Sequence, residues 1–288
     1  IIFLGGFALR TIQVEQITEA VANMCKEACY YLPQDVYDAL VKGKETEESP
    51  LGRDVLDQII RNADIARSED RPICQDTGMT VVFMEIGQDV QFAGGNLIDA
   101  VNAGVAKGYI EGYLRKSVVA EPLFDRKNTT NNTPAVIYTD IVPGDKLKIK
   151  LAPKGFGSEN KSALKMLVPA DGIEGVKKVV LDTVIHAGEN PCPPIVVGVG
   201  IGGTMDKAAV LSKKALLRSI NKRNDHPEYA KLEEELLDLI NKTGIGPQLG
   251  GTTTGLAVNI EWYPTHIAGL PVSVNISCHA TRHAEVEL

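Results

Sequence analysis

The sequence predicts an α/β fold, with a helical N-terminal portion followed by mixed β-sheets flanked by helices. Two observations predict it: apolar residues recur at helical spacing ahead of Cys74, and after it short β-branched runs bounded by glycine alternate with amphipathic stretches. With 288 residues the chain has room for one large domain or two small ones of roughly 150 residues each. No repeat, low-complexity tract or clear linker divides it, so residues 11–288 read as one unit. Residues 1–10 are apolar and contain glycine, lack the basic leader and cleavage site of a secretory signal, and read as an appended or incomplete start.

A helix is expected from Thr18 to about Val41, where Val21, Met24, Cys25 and Ala28 form one apolar stripe, and a second over 54–66, ended by the charged 67–71. After Cys74-Gln75-Asp76-Thr77-Gly78 the apolar 79–86 reads as a buried strand, and 97–114 returns to helical spacing. Segments 135–142 and 146–151 flank Pro143-Gly144-Asp145, whose Pro-Gly pair suits the centre of a type II turn, and read as a hairpin. Next come a helix over 158–167, opened by a Gly-rich turn, a helix over 172–186 and a short strand at 195–199. Amphipathic helices follow over 207–220 and 228–240, then a Gly/Thr loop, 244–255, and two strands at 256–261 and 271–278.

Acidic residues outnumber basic ones by 37 to 30, a formal net charge of −7. That balance argues against a nucleic-acid or anionic-membrane binder. No apolar stretch approaches the roughly 20 residues that span a bilayer, so a soluble protein is expected. The five cysteines, at positions 25, 29, 74, 192 and 278, form an odd and dispersed set, unlike an extracellular disulfide framework, and suggest a reducing cytoplasm.

Gly198-Val199-Gly200-Ile201-Gly202-Gly203 satisfies G-x-G-x-x-G between a strand and a helix, the setting of a dinucleotide fingerprint. The fingerprint also needs an acidic residue at the end of the next strand. Asp225 lies instead in a polar stretch before another helix, so a tight strand-to-helix turn is the better reading. Gly155-Phe156-Gly157-Ser158-Glu159-Asn160 places glycines and a capping serine where helix N–H groups can hold an anion, or merely cap a helix. Neighbouring Lys154 and Lys161 suit a carboxylate, or are solvated surface.

Cys25 and Cys29, one turn apart on the helical stripe, read as packing. Cys74, Cys192 and Cys278 fall at element ends, where a metal can be reached, although they lack clustered C-x-x-C spacing. If the three thiolates hold a four-iron cubane, one iron is left without a protein ligand as an open Lewis acid, with Asp76 two residues from Cys74 and placed to assist. His266, between the last two expected strands, is either a surface hydrogen-bonder or a functional imidazole. His279 can support the surroundings of Cys278, while Arg282 and His283 make no strong claim.

Taken together, Ile73-Cys74-Gln75-Asp76-Thr77-Gly78, Leu114-Arg115-Lys116-Ser117-Val118-Val119-Ala120, Asn131-Asn132-Thr133-Pro134-Ala135, Gly157-Ser158-Glu159-Asn160, the 198–207 glycine turn, Gly244-Ile245-Gly246-Pro247 and the 264–272 segment resemble one family. It is the α subunit, or N-terminal catalytic region, of class I iron–sulfur fumarate hydratases and the related L-tartrate dehydratases. The resemblance implies a [4Fe–4S] hydro-lyase that reversibly hydrates fumarate to L-malate. By position it implies Cys74, Cys192 and Cys278 as cluster ligands, Gln75 and Asp76 as substrate contacts with Asp76 a proton donor, and Arg115, Gly157 and His266 at the substrate carboxylates. Family members often carry three glycines before Ser-x-Asn, where this chain has Phe156 after Gly155. The chain stops ten residues after Cys278, where single-chain relatives continue, so a β subunit is expected to supply the rest of the site, including the base, in an α2β2 assembly built on an α–α dimer.

The nearest alternatives are L-tartrate and mesaconate as substrates, since one extra hydroxyl needs only one changed hydrogen-bond partner. From other classes come a non-catalytic iron–sulfur or zinc scaffold, against which Asp76, Arg115 and His266 speak, and a NAD-dependent oxidoreductase, disfavoured by the broken fingerprint.

Overall fold

The structure, a computed structural model, describes residues 9–288. The expectation of an appended start falls mainly on residues 1–8, outside the described residues; Arg10 already opens a strand. The elements in order are β1 (Arg10–Gln13), α1 (Val14–Tyr30), α2 (Gln34–Thr46), α3 (Pro50–Ser68), β2 (Met79–Gly87), β3 (Val90–Ala93) and α4 (Leu97–Glu111). There follow β4 (Val136–Val142), β5 (Leu147–Lys154), α5 (Phe156–Glu159), β6 (Ala163–Leu167) and α6 (Gly172–Ala187). The last are β7 (Ile195–Gly202), α7 (Met205–Ala215), α8 (Pro227–Asn241), β8 (Gly255–Tyr263), β9 (Leu270–Ser277) and β10 (Ala284–Glu287). The mixed α/β class with helices leading is as expected.

The described residues gather in two compact units. Among the described residues the first comprises 9–31, Cys74–Lys154 and Arg282–Leu288; the second comprises Leu32–Ile73 and Gly155–Thr281. The single helix expected over 18–41 is two, because Pro33 has no N–H to donate and disfavours helical backbone at Leu32; α2 starts immediately after it.

In the first unit a four-stranded sheet runs β10-β5-β2-β4, with β2 parallel to β4 and antiparallel to β5. The expected hairpin of β4 and β5 is therefore corrected: β2 lies between them. The reason is burial, since 80–84 of β2 is buried on both faces while no residue of β4 is buried, as befits an edge. The 143–146 turn has its expected left-handed glycine, Gly144 at φ 105°, but it wraps the end of β2. There Gly87 N–H donates to the Lys146 carbonyl at 2.8 Å and Asp89 N–H to that of Gly144 at 3.0 Å. Ile17, Val21, Met24 and Cys25 of α1 and Val101, Val105 and Tyr109 of α4 close the core over Val82, Met84, Ile149 and Leu151.

In the second unit the sheet order is β6-β9-β7-β8, with β7 parallel to β8 and antiparallel to β9. Alternate residues of β7 face opposite sides. Val197, Val199 and Ile201 pack with Val180 and Val184 of α6 and Leu232 and Leu236 of α8. Gly198 and Gly200 face α7, so close that a Cβ would stand 2.1 Å from the Ser212 carbonyl oxygen and 2.0 Å from that of Ala208. The G-x-G-x-x-G run is thus a packing device for α7. The helix expected over 158–167 is a correction: only α5 is helical there, and 163–167 pairs along β9 as β6, where ladder hydrogen bonds outweigh local helix periodicity. Helix α7 ends at Ala215 rather than Ile220.

Candidate active site

In the first unit the loop after Cys74 is held by side chains from three directions. The Thr77 hydroxyl donates to the Arg115 carbonyl at 3.1 Å and accepts the Arg115 main-chain N–H at 2.9 Å. Buried Tyr109 donates its hydroxyl to the Thr77 carbonyl at 2.6 Å, and fully buried Asn132 donates to that of Gly78 at 3.1 Å while accepting Ser117 N–H at 2.7 Å. Arg282, only 5% exposed, donates to the Asp76 carbonyl. The Asp76 carboxylate accepts Gly78 N–H at 3.0 Å, which orients it, and Asp76 N–H points at the Cys74 sulfur at 3.4 Å. Asp76 is half-buried, whereas Gln75 and Arg115 are exposed. The structure thus brings Cys74, Gln75, Asp76 and Arg115 together on one braced loop pair.

Below that loop Cys25 and Cys29 are completely buried, as packing residues should be. Burial pushes the Cys29 thiol up to about 11, with the charge of Arg282 opposing it, and burial raises Cys25 further. Burial thus favours the neutral thiol at both positions. Cys74, Cys192 and Cys278 are exposed or half-buried, and none of the five cysteines forms a disulfide.

In the second unit Cys192 precedes β7 and Cys278 follows β9. Antiparallel pairing, with Val196 opposite Ser277, brings the start of β7 and the end of β9 to the same end of the sheet. His279 fastens the two segments: its N–H donates to the Cys192 carbonyl at 3.1 Å, and its ring Nδ1 lies 3.0 Å from the same oxygen. Cys192 itself sits at φ 56°, a left-handed conformation costing a non-glycine residue about 1 kcal/mol or more.

Exposed His266 accepts Ala268 N–H on Nδ1 at 3.2 Å, which places the proton of the neutral ring on Nε2. Its loop is tied to the glycine turn, where Thr265 Oγ1 donates to the Gly203 carbonyl at 2.9 Å. Exposed Gly157 lies in α5, a single turn whose Glu159 pairs with Lys213 and accepts from Asn275. Lys154 is buried, not solvated surface, while Lys161 is half-buried. The sequence reading gave no bracing role to Thr77, Tyr109, Asn132 or Arg282, although Thr77 and Asn132 lie in its quoted motifs.

Among the described residues no three of His, Cys, Asp and Glu are close enough to hold a single metal ion. The donor set nonetheless suits a larger iron–sulfur group, since three accessible thiols at loop and strand ends stand apart from two buried ones.

The sequence model of the fumarate hydratase (Fumerase) family matches residues 18–287. The chain belongs to that family. A protein of Methanocaldococcus jannaschii, provisionally named L(+)-tartrate dehydratase subunit alpha, is 46% identical over 275 residues, covering 93% of this chain and 96% of its own length. The L(+)-tartrate dehydratase subunit alpha of Escherichia coli strain UTI89 is 36% identical over 281 residues, covering 96% and 91%. That of Escherichia coli K12 is 35% identical over 274 residues, covering 93% and 89%. Hydratase and dehydratase name one chemistry in opposite directions, so membership of the fumarate hydratase family makes this a chain of hydro-lyase type. Among the described residues no helix is long and apolar enough to cross a membrane.

Proposed function

We propose that this chain is the α subunit of a two-subunit hydro-lyase acting on a four-carbon dicarboxylate, reversibly hydrating fumarate to L-malate. The observation that carries the reading is the Thr77–Arg115 exchange, which in a fumarate hydratase family chain fixes an acid, Asp76, and a guanidinium, Arg115, on adjoining backbone beside Cys74. In this reading Cys74, Cys192 and Cys278 hold a [4Fe–4S] cluster. That group, when bound, supplies a Lewis-acid iron that polarises the substrate hydroxyl.

The protein's own groups do the rest. Asp76, oriented by Gly78 N–H, holds the proton that the departing hydroxyl takes up. Arg115 and the Nε2–H of His266 bind substrate carboxylates, with Gln75 and the Gly157 backbone as further contacts. Proton abstraction beside a carboxylate builds negative charge there, so these donors stabilise the transition state more than the ground state. The base belongs to a β subunit, a partner implied for the relatives by the name subunit alpha.

The names of the relatives favour a second substrate equally, L(+)-tartrate, dehydrated by the same groups. Anaerobic reconstitution with iron and sulfide, then titration of fumarate and of L(+)-tartrate while the visible spectrum is followed, separates them. About four irons per chain and a spectrum perturbed by one diacid are expected. Zinc, or no metal, overturns the reading.

A further inference from the structure

The Gly/Thr loop after α8 has no part in the chemistry above, yet it is held by a dense set of hydrogen bonds. Its base is fixed by Glu47, a carboxylate without exposed surface. Glu47 accepts the N–H groups of Thr252 at 2.9 Å and Thr253 at 2.7 Å, and the Thr252 hydroxyl at 3.2 Å. The loop then bonds to itself, Gly250 N–H to the Ile245 carbonyl at 3.0 Å and Gly251 N–H to that of Gly244 at 3.3 Å. At Gly246 the strands of the loop pass so near that a Cβ would stand 2.3 Å from the Gly250 main chain.

At its tip Gln248 is held at φ 75°, a region that a residue with a side chain enters at a cost. From there its side-chain Nε2–H donates to the Pro193 carbonyl at 3.2 Å. Pro193 follows Cys192, whose own carbonyl is taken by His279. The left-handed Cys192 turn is therefore gripped at two successive carbonyls, by His279 on one and Gln248 on the next.

We propose that Gln248 is a positioning residue for Cys192, and that the loop anchored by Glu47 is a preformed brace that fixes the direction of this thiol for the iron it holds. The proposal rests on the reading of Cys192 as a cluster ligand. A ligand on an exposed turn gains from such bracing, because outer partners that orient a metal ligand typically change its affinity by about 10–100-fold.

The test uses the full chain in two variants. Gln248→Gly suits φ 75° and removes only the side chain; Gln248→Glu keeps its length and replaces the donor by an acceptor. In metal-free protein, iodoacetamide labelling of Cys192 is measured by peptide mass spectrometry against Cys278 and Cys74 in the same sample. Both variants are expected to change the Cys192 to Cys278 labelling ratio severalfold at unchanged melting temperature, and after reconstitution to lose iron to a chelator about tenfold faster. An unchanged labelling ratio in both variants overturns the brace. Wild-type protein that takes up no iron overturns the ligand reading instead, while the labelling ratio still decides whether Gln248 orients Cys192.

Discussion

The hydroxyl of Thr77 and the main chain of Arg115 satisfy one another completely, the hydroxyl giving its proton to the Arg115 carbonyl and receiving the Arg115 N–H. Two loops 38 residues apart are thereby locked, and the Asp76 carboxylate and Arg115 side chain leave from adjoining backbone.

Thr77→Val keeps the shape and removes both bonds, leaving a buried hydroxyl's two partners unpaired. A loss of about 1–3 kcal/mol in unfolding free energy is expected, read by denaturant titration. Turnover falls further than stability, because Arg115 is released. Thr77→Ser restores both.

Cys74→Ser, Cys192→Ser and Cys278→Ser are each expected to abolish iron and sulfide loading, whereas Cys25→Ser, deep in the first unit's core, is expected to load normally. Elemental analysis after anaerobic reconstitution reads this directly. Normal loading in any of the first three removes that residue from the ligand set.

Asp76→Asn retains the Gly78 N–H contact and cannot give up a carboxyl proton. With the β partner present, iron content is expected to be unchanged and kcat to drop by about 100-fold or more. Wild-type turnover in this variant ends the acid role.

Burial pushes the Glu47 carboxyl up, but the N–H groups of Ser49, Thr252 and Thr253 outweigh it and hold the group at about 2. A carboxyl lowered by folding stabilises above its unfolded value of 4.5 and loses that contribution as pH falls towards 2. Glu47→Gln is therefore expected to cost on the order of 3 kcal/mol near pH 7, with the gap to wild type closing as the pH drops. Denaturation midpoints of both proteins at neutral and acid pH measure it. A gap that is constant with pH contradicts the ionised, hydrogen-bonded carboxylate.

Much of the site was legible locally. The Cys-Gln-Asp-Thr-Gly loop before β2, the helical cysteines as packing and the glycine run as a turn beside α7 all follow from periodicity and turn chemistry over a few residues. The braces were not, because Arg282 reaches Asp76 across 206 residues and Glu47 reaches Thr253 across the same separation. No local pattern distinguishes such an arginine or glutamate from a solvated one.

The sequence by itself determined which stretches bury a face, the order of the helices and most strands, and which thiols are accessible, since each depends on side-chain polarity at a spacing of two or 3.6 residues. Only the tertiary structure decided which strand lies beside which. It put β2 between β4 and β5, made 163–167 a strand on β9, and carried Cys192 and Cys278 to the same end of one sheet. Backbone hydrogen bonds are chemically the same at every residue, so a strand's partner is chosen by the long-range packing of the two faces and not by its own composition.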